Sequence, residues 1–103
     1  MTFKVILEAP ASSDLRGILR YISQTLKEPA TAKRIYLSIK TQISSLDQLP
    51  FRCPVVDSEP FASRGIRRLP TENYTVFFVI EEAKKEVHIL RVLYSRREWQ
   101  NLL

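Results

Sequence analysis

Phe3, Val5 and Leu7 alternate with Lys4, Ile6 and Glu8 at the start of the chain. A period of two with one face more apolar than the other predicts a short strand over 3–8, stopped by Pro10. Ser12 or Ser13 then offers an N-cap, and Asp14 suits a first helical turn. Leu15, Ile18, Leu19, Ile22 and Leu26 follow at helical spacing, with Arg16, Arg20 and Gln24 on the other side, which predicts a helix over 12–26. Pro29 and Thr31 mark a second start. Ala32, Ile35, Ile39, Ile43 and Leu46 repeat in steps of three and four, so a second helix is expected over 30–48, ending before Pro50. The link between the helices is so short that they should form an antiparallel hairpin.

The second half changes character. Pro50, Pro54 and Pro60 punctuate a stretch without a period, read as an ordered loop over 50–63. A short strand is expected over 65–69, a turn over 70–73 and an aromatic, β-branched strand over 74–80. A charged loop over 81–86 leads to a last strand over 87–93 or 94. Short links make these three strands an antiparallel meander. The tail, 95–103, is expected to form a helical turn, with Trp99, Leu102 and Leu103 packing back on the body. The resulting order is β-α-α-β-β-β. The fold class is therefore α+β, a helix hairpin on one face of a mostly antiparallel sheet, with the other face left for solvent or a partner.

Composition narrows the function classes. A chain of 103 residues fits one domain spanning 1–103. Two glycines cannot build a glycine-rich phosphate loop. The net charge of +5 and pI of about 9.7 favour anionic partners, either nucleic acid or an acidic protein. One cysteine allows no internal disulfide and agrees with a reducing cytosol. One cysteine and one histidine do not supply a structural zinc site of Cys and His ligands, and no cofactor is called for. The N-terminus has no signal-peptide pattern, and no run reaches the ~18 apolar residues of a membrane span, so the expected location is the cytoplasm with no membrane contact.

The candidate chemistry lies in the last strand and tail, Arg91-Val-Leu-Tyr94-Ser-Arg96-Arg97-Glu-Trp99. An arginine inside an apolar strand, beside a tyrosine and two further arginines, is a candidate anion site. Strict parity puts Val87, Ile89, Arg91 and Leu93 on one face and His88, Leu90, Val92 and Tyr94 on the other. Arg91 and Tyr94 converge only if the strand bends or ends near Leu93. Arg67 belongs to the neighbouring strand region, from which it is placed to approach Arg91 across the sheet. Arg68 alternates with it, so at least one of the two is solvated. Arg96 and Arg97 suit either an anion or a helix C-terminus. Tyr74, Phe77 and Phe78 are expected in the core. His88 has no fixed acidic neighbour and is read as structural. Tyr94 is the best-placed titratable group, because flanking arginines favour a phenolate or a phosphate.

Four segments together resemble the RelE/ParE superfamily of toxins from type II toxin–antitoxin pairs. They are residues 11–22, Gly65-Ile-Arg67-Arg-Leu, Tyr74-Thr-Val-Phe-Phe-Val-Ile, and Val87 through Glu98. The resemblance implies a helix pair on a mostly antiparallel sheet and an acidic antitoxin that wraps the toxin. It also implies one of two targets. RelE-like members cleave mRNA on the ribosome without a metal, and ParE-like members poison DNA gyrase. Under the first reading, the RNA 2′-OH attacks the adjacent phosphate. Arg67 and Arg91 would then stabilise the phosphate, Tyr94 would act as acid or base, and Arg68, Arg96 and Arg97 would hold flanking RNA. This endoribonuclease activity is the leading expectation, gyrase inhibition the alternative, and a non-toxic basic binding module the third class. Many relatives carry His where this chain has Tyr94. Glu59 and Glu72 are further candidate bases outside any motif.

Overall fold

The computed structural model describes residues 2–103. It contains strand β1 (Lys4–Leu7), helix α1 (Ala9–Arg20), helix α2 (Pro29–Ser44) and strands β2 (Arg67–Thr71), β3 (Tyr74–Glu81) and β4 (Glu86–Tyr94). The α+β order expected from the sequence is the order observed. The sheet runs β1-β4-β3-β2, with β1 parallel to β4 and the other pairs antiparallel.

Helix α1 begins at Ala9, three residues before the expected start. Pro10 does not merely end β1. It lies in the first helical turn, where its missing N–H needs no partner. The N-cap is Glu8, without a side-chain cap bond, so neither Ser12 nor Ser13 serves. The helix then widens into a π-helical turn, Tyr21–Thr25, in which Leu26 N–H donates to the Tyr21 carbonyl at 3.1 Å. Pro70 lies inside β2 rather than in the turn after it. The outermost strand tolerates proline, because one row of its N–H groups faces away from the sheet.

Ala11, Leu15, Ile39, Ile43 and Leu46 from the helical layer meet Val76, Phe78, Val87, Ile89 and Val92 from the sheet in the main core. Burying an aliphatic side chain of this size stabilises by ~1.5–3 kcal/mol, so the periodic stripe read from the sequence carries most of the fold. The opposite sheet face is not left to solvent. Val56, Phe61 and Ile66 from the loop after α2 close over Phe77 and Leu93, and Trp99, Leu102 and Leu103 pack against them. Both faces of the sheet are covered. Among the described residues, no helix is long and apolar enough to cross a membrane.

Strand β4 carries a bulge. Phe77 pairs with Arg91 but Phe78 pairs with Ile89, leaving Leu90 as the extra residue. The bulge resets the parity of everything after it. Val87, Ile89 and Val92 now share the helix-covered face, while Leu90 and Leu93 join the outer cluster. The strict alternation expected for this strand therefore fails at Leu90.

Candidate functional site

Arg91 sits just past the bulge, where β1 has ended and the start of α1 takes its place beside β4. All three nitrogens of its guanidinium donate hydrogen bonds. Nε donates to Asp14 Oδ2 at 2.7 Å, Nη2 to Asp14 Oδ1 at 2.8 Å, and Nη1 to the Leu102 carbonyl at 2.9 Å. The same carboxylate accepts from Val92 N–H at 2.9 Å. The bidentate bond to Asp14 raises the Arg91 pKa against a smaller opposing effect of burial. Arg91 thus joins α1, β4 and the C-terminal tail. Asp14 was missed as its partner, although it lies on the apolar stripe of α1, three residues after Ala11 and four before Ile18.

Arg67 does not approach Arg91. It lies in the row with Phe78 and Ile89, whereas Arg91 lies in the row with Phe77 and Arg68. Adjacent rows point to opposite faces of the sheet. Arg67 donates to the Cys53 carbonyl at 2.6 Å and stacks 5.1 Å from the Phe51 ring centroid, so it holds the loop after α2. Burial pushes the Cys53 thiol up, against the pull of Arg52 and Arg67. Arg68, Arg96 and Arg97 are exposed. Glu59 accepts from Ser63 N–H at 2.9 Å, and Glu72 pairs with Arg34 at 3.3 Å. Both candidate bases are engaged, Glu59 within its own loop and Glu72 with α2.

Tyr94 ends β4 on the helix-covered side, but it is 45% exposed and not core. Its ring meets Tyr74 edge-on at 5.9 Å. Burial, aided by the neighbouring Tyr94 and Tyr21, raises the Tyr74 pKa. Both tyrosines line a groove of about 690 Å³ between the C-terminal part of α1, the start of α2, the start of β3 and the end of β4. Ile18, Tyr21, Leu26 and Ile35 supply further apolar wall, and Arg97 closes the rim. Tyr21 and Leu26 are themselves about half exposed, so the groove opens an apolar surface to solvent. Of the predicted residues, only Tyr94 and Arg97 come together here. Leu26, expected on the core stripe of the first helix, instead stands half exposed at the groove, and Tyr21, off that stripe, was the sequence signal for it.

Gly17 lies in the same groove wall within α1, where an added Cβ would meet nothing within 4 Å. Gly17→Ala is expected to raise stability by ~0.5–1 kcal/mol through helix propensity alone. Urea denaturation checks this, and a loss of stability would contradict the open space assigned to that wall.

His88 is bonded on both sides. Nδ1 lies 2.6 Å from Glu8 Oε2 and Nε2 lies 3.0 Å from Glu86 Oε1. The Glu8 bond is the largest cause of its raised pKa, with burial opposing. The expectation that it lacks an acidic neighbour was wrong. Glu86 is two residues away on the same strand face, and β1 brings Glu8 alongside.

A family model described as the ParE toxin of the type II toxin–antitoxin system parDE matches residues 5–99. The fold superposes on a structure of the chromosomal ParDE toxin–antitoxin system from P. aeruginosa with a TM-score of 0.73 and 25% identity, covering 90% of this chain and 96% of that one. It also superposes on a structure of the toxin–antitoxin complex RelBE2 from Mycobacterium tuberculosis, with a TM-score of 0.64 and 18% identity, covering 91% of this chain and 99% of that one. No curated protein matches in sequence.

Proposed function

The chain belongs to the ParE toxin family of type II toxin–antitoxin systems, and on that premise we propose that it arrests growth by binding and inhibiting DNA gyrase rather than by cutting mRNA. The observation that carries this reading is the dispersal of the expected nuclease groups. Arg91 is spent on Asp14 and Leu102, Arg67 on Cys53 and Phe51, and Tyr94 stands apart from both. Phosphate cleavage needs an acid, a base and cations within reach of one phosphate. A binding toxin needs only an exposed, complementary surface. The apolar groove with Tyr21, Leu26, Tyr94 and Arg97 supports that role. An acidic, amphipathic antitoxin segment is the expected neutralising partner, matched to the net charge of +5. The nuclease reading retains one point of support, the shared position of Tyr94 and Arg97 at the groove mouth.

Induced expression separates the two. DNA breaks and the DNA-damage response should precede any fall in translation. Early translational arrest with cleaved mRNA and intact DNA would overturn the proposal. Tyr94→Phe sharpens the test, because it keeps the ring and removes the hydroxyl. A binding toxin should stay toxic with this variant, whereas a nuclease using Tyr94 as acid or base should lose ~100- to 10,000-fold in rate.

A further inference from the structure

At the opposite end of β4 from the groove, the β3–β4 hairpin gathers Glu81, Glu86 and His88 so that one ligand atom from each lies within 4.8 Å of the others. Glu81 and Glu86 are directly paired across the two strands, and His88 lies two residues on, so all three point to the outer face. His88 Nε2 is 3.0 Å from Glu86 and 3.5 Å from Glu81. Donor atoms bound ~2.0–2.2 Å from one ion at tetrahedral or octahedral angles stand about this far apart.

The other ring nitrogen supplies an independent constraint. Nδ1 is held 2.6 Å from Glu8, the N-cap of α1 just after β1, which does not belong to the hairpin. Glu8 accepts Nδ1–H, and Nε2 faces two carboxylates whose mutual repulsion a cation between them relieves; without a metal ion that cation is a proton on Nε2, donated to Glu86 at 3.0 Å. A carboxylate on the far nitrogen is the usual orienting partner of a metal-bound histidine. A single proton answers the repulsion incompletely, since it can be shared with one carboxylate at a time and leaves three acidic groups around one imidazolium. Among the described residues, Lys84 lies 3.6 Å from Glu81, and Lys4 is paired in register with Glu86. Both are exposed at the surface, and neither forms a salt bridge with Glu86.

We propose that His88 Nε2, Glu81 and Glu86 bind one divalent first-row transition-metal ion, zinc or a close neighbour, with Glu8 orienting the imidazole from behind. One nitrogen with carboxylate oxygens suits such an ion better than magnesium or calcium, and water completes its coordination. The site is structural. Tyr94 lies six residues further along β4, ~20 Å away, so the ion is remote from the groove and its binding is independent of which target the toxin has. Its effect would be to clamp the hairpin end to His88, and through Glu8 to the β1–α1 junction.

Untagged full-length protein, freed of metal by a chelator, tests this with Co²⁺ alone. The expected result is saturable binding of one ion per chain, a visible absorption band from nitrogen–oxygen coordination, and a thermal midpoint raised by ~5–15 °C at hundredfold saturation. Zn²⁺ should displace the band, and Mg²⁺ should not. Glu81→Gln, at an exposed position, should weaken binding at least tenfold without changing the apo midpoint materially. His88→Gln should abolish the band, and Glu8→Gln should weaken binding ~10- to 100-fold while leaving the three ligands in place. Cys53→Ser should leave Co²⁺ binding and the absorption band unchanged. Absence of binding at millimolar Co²⁺, or binding of equal strength in the Glu81→Gln and His88→Gln variants, would overturn the assignment.

Discussion

Asp14→Ala is expected to destabilise the protein by ~3 kcal/mol, among the largest effects of any single polar substitution in this chain. The carboxylate accepts three hydrogen bonds, two from Arg91 and one from the Val92 backbone, and its side chain is only 14% exposed. Removing it leaves a guanidinium, 22% exposed, without its counter-charge, and strands a backbone N–H beside a bulge. A charge-assisted pair at the surface would be worth well under ~1 kcal/mol, so the burial decides the magnitude. Urea denaturation measures it, and a loss below ~1 kcal/mol would show that water replaces the carboxylate freely. The double variant Asp14→Ala/Arg91→Met should be less destabilised than Asp14→Ala alone, because no orphaned charge remains. The same cycle bears on toxicity. Arg91→Ala should weaken growth arrest only as far as it lowers stability. A folded Arg91 variant devoid of toxicity would return Arg91 to a functional role.

That pairing also marks where the sequence stops being readable. The helix stripes are local signals: Leu15, Ile18 and Ile22, then Ala32, Ile35, Ile39 and Ile43, recur at a spacing that only a helix satisfies. Both helices accordingly lie within a few residues of their expected spans. The partners of charged residues are not local. Asp14 and Arg91 are 77 residues apart, and Glu8 and His88 are 80 apart. Each left a trace as a charge on an apolar stripe or inside an apolar strand, which signals that a partner exists without naming it. The bulge at Leu90 left less. Val87, Ile89, Val92 and Leu93 around it are apolar on both faces, so the pattern permits either face, and the parity argument for Arg91 and Arg67 failed there. Pro10 is a case of two meanings for one residue, since it ends a strand and opens a helix equally well.

Phe77→Ala is expected to cost ~3–5 kcal/mol and to release the C-terminal tail. The residue is 2% exposed and lies on the sheet face away from the helices, between Arg68 and Arg91 in one cross-strand row. Its ring lies 5.0 Å from Trp99, which also meets Phe61 edge-on at 5.3 Å. Truncation would remove the floor on which Trp99 rests, and the neighbours that could collapse into the gap, Val56 and Ile66, are themselves held in an irregular loop. Trp99 is the only tryptophan, so its fluorescence reads the tail directly. The variant should show red-shifted emission in native buffer together with the loss of stability, and the helix signal in circular dichroism should persist, because α1 and α2 pack on the other face. Unchanged emission with a loss below ~1 kcal/mol would mean that the tail is held by Arg91 and Leu102 alone. The outcome decides how the tail is retained. If aromatic packing dominates, the Arg91–Leu102 bond sets the direction of the tail, and the second core keeps the outer sheet face closed to partners. The groove on the helix side, where Tyr21, Leu26, Tyr94 and Arg97 stand open, is then the surface on which the proposed target binding is to be tested.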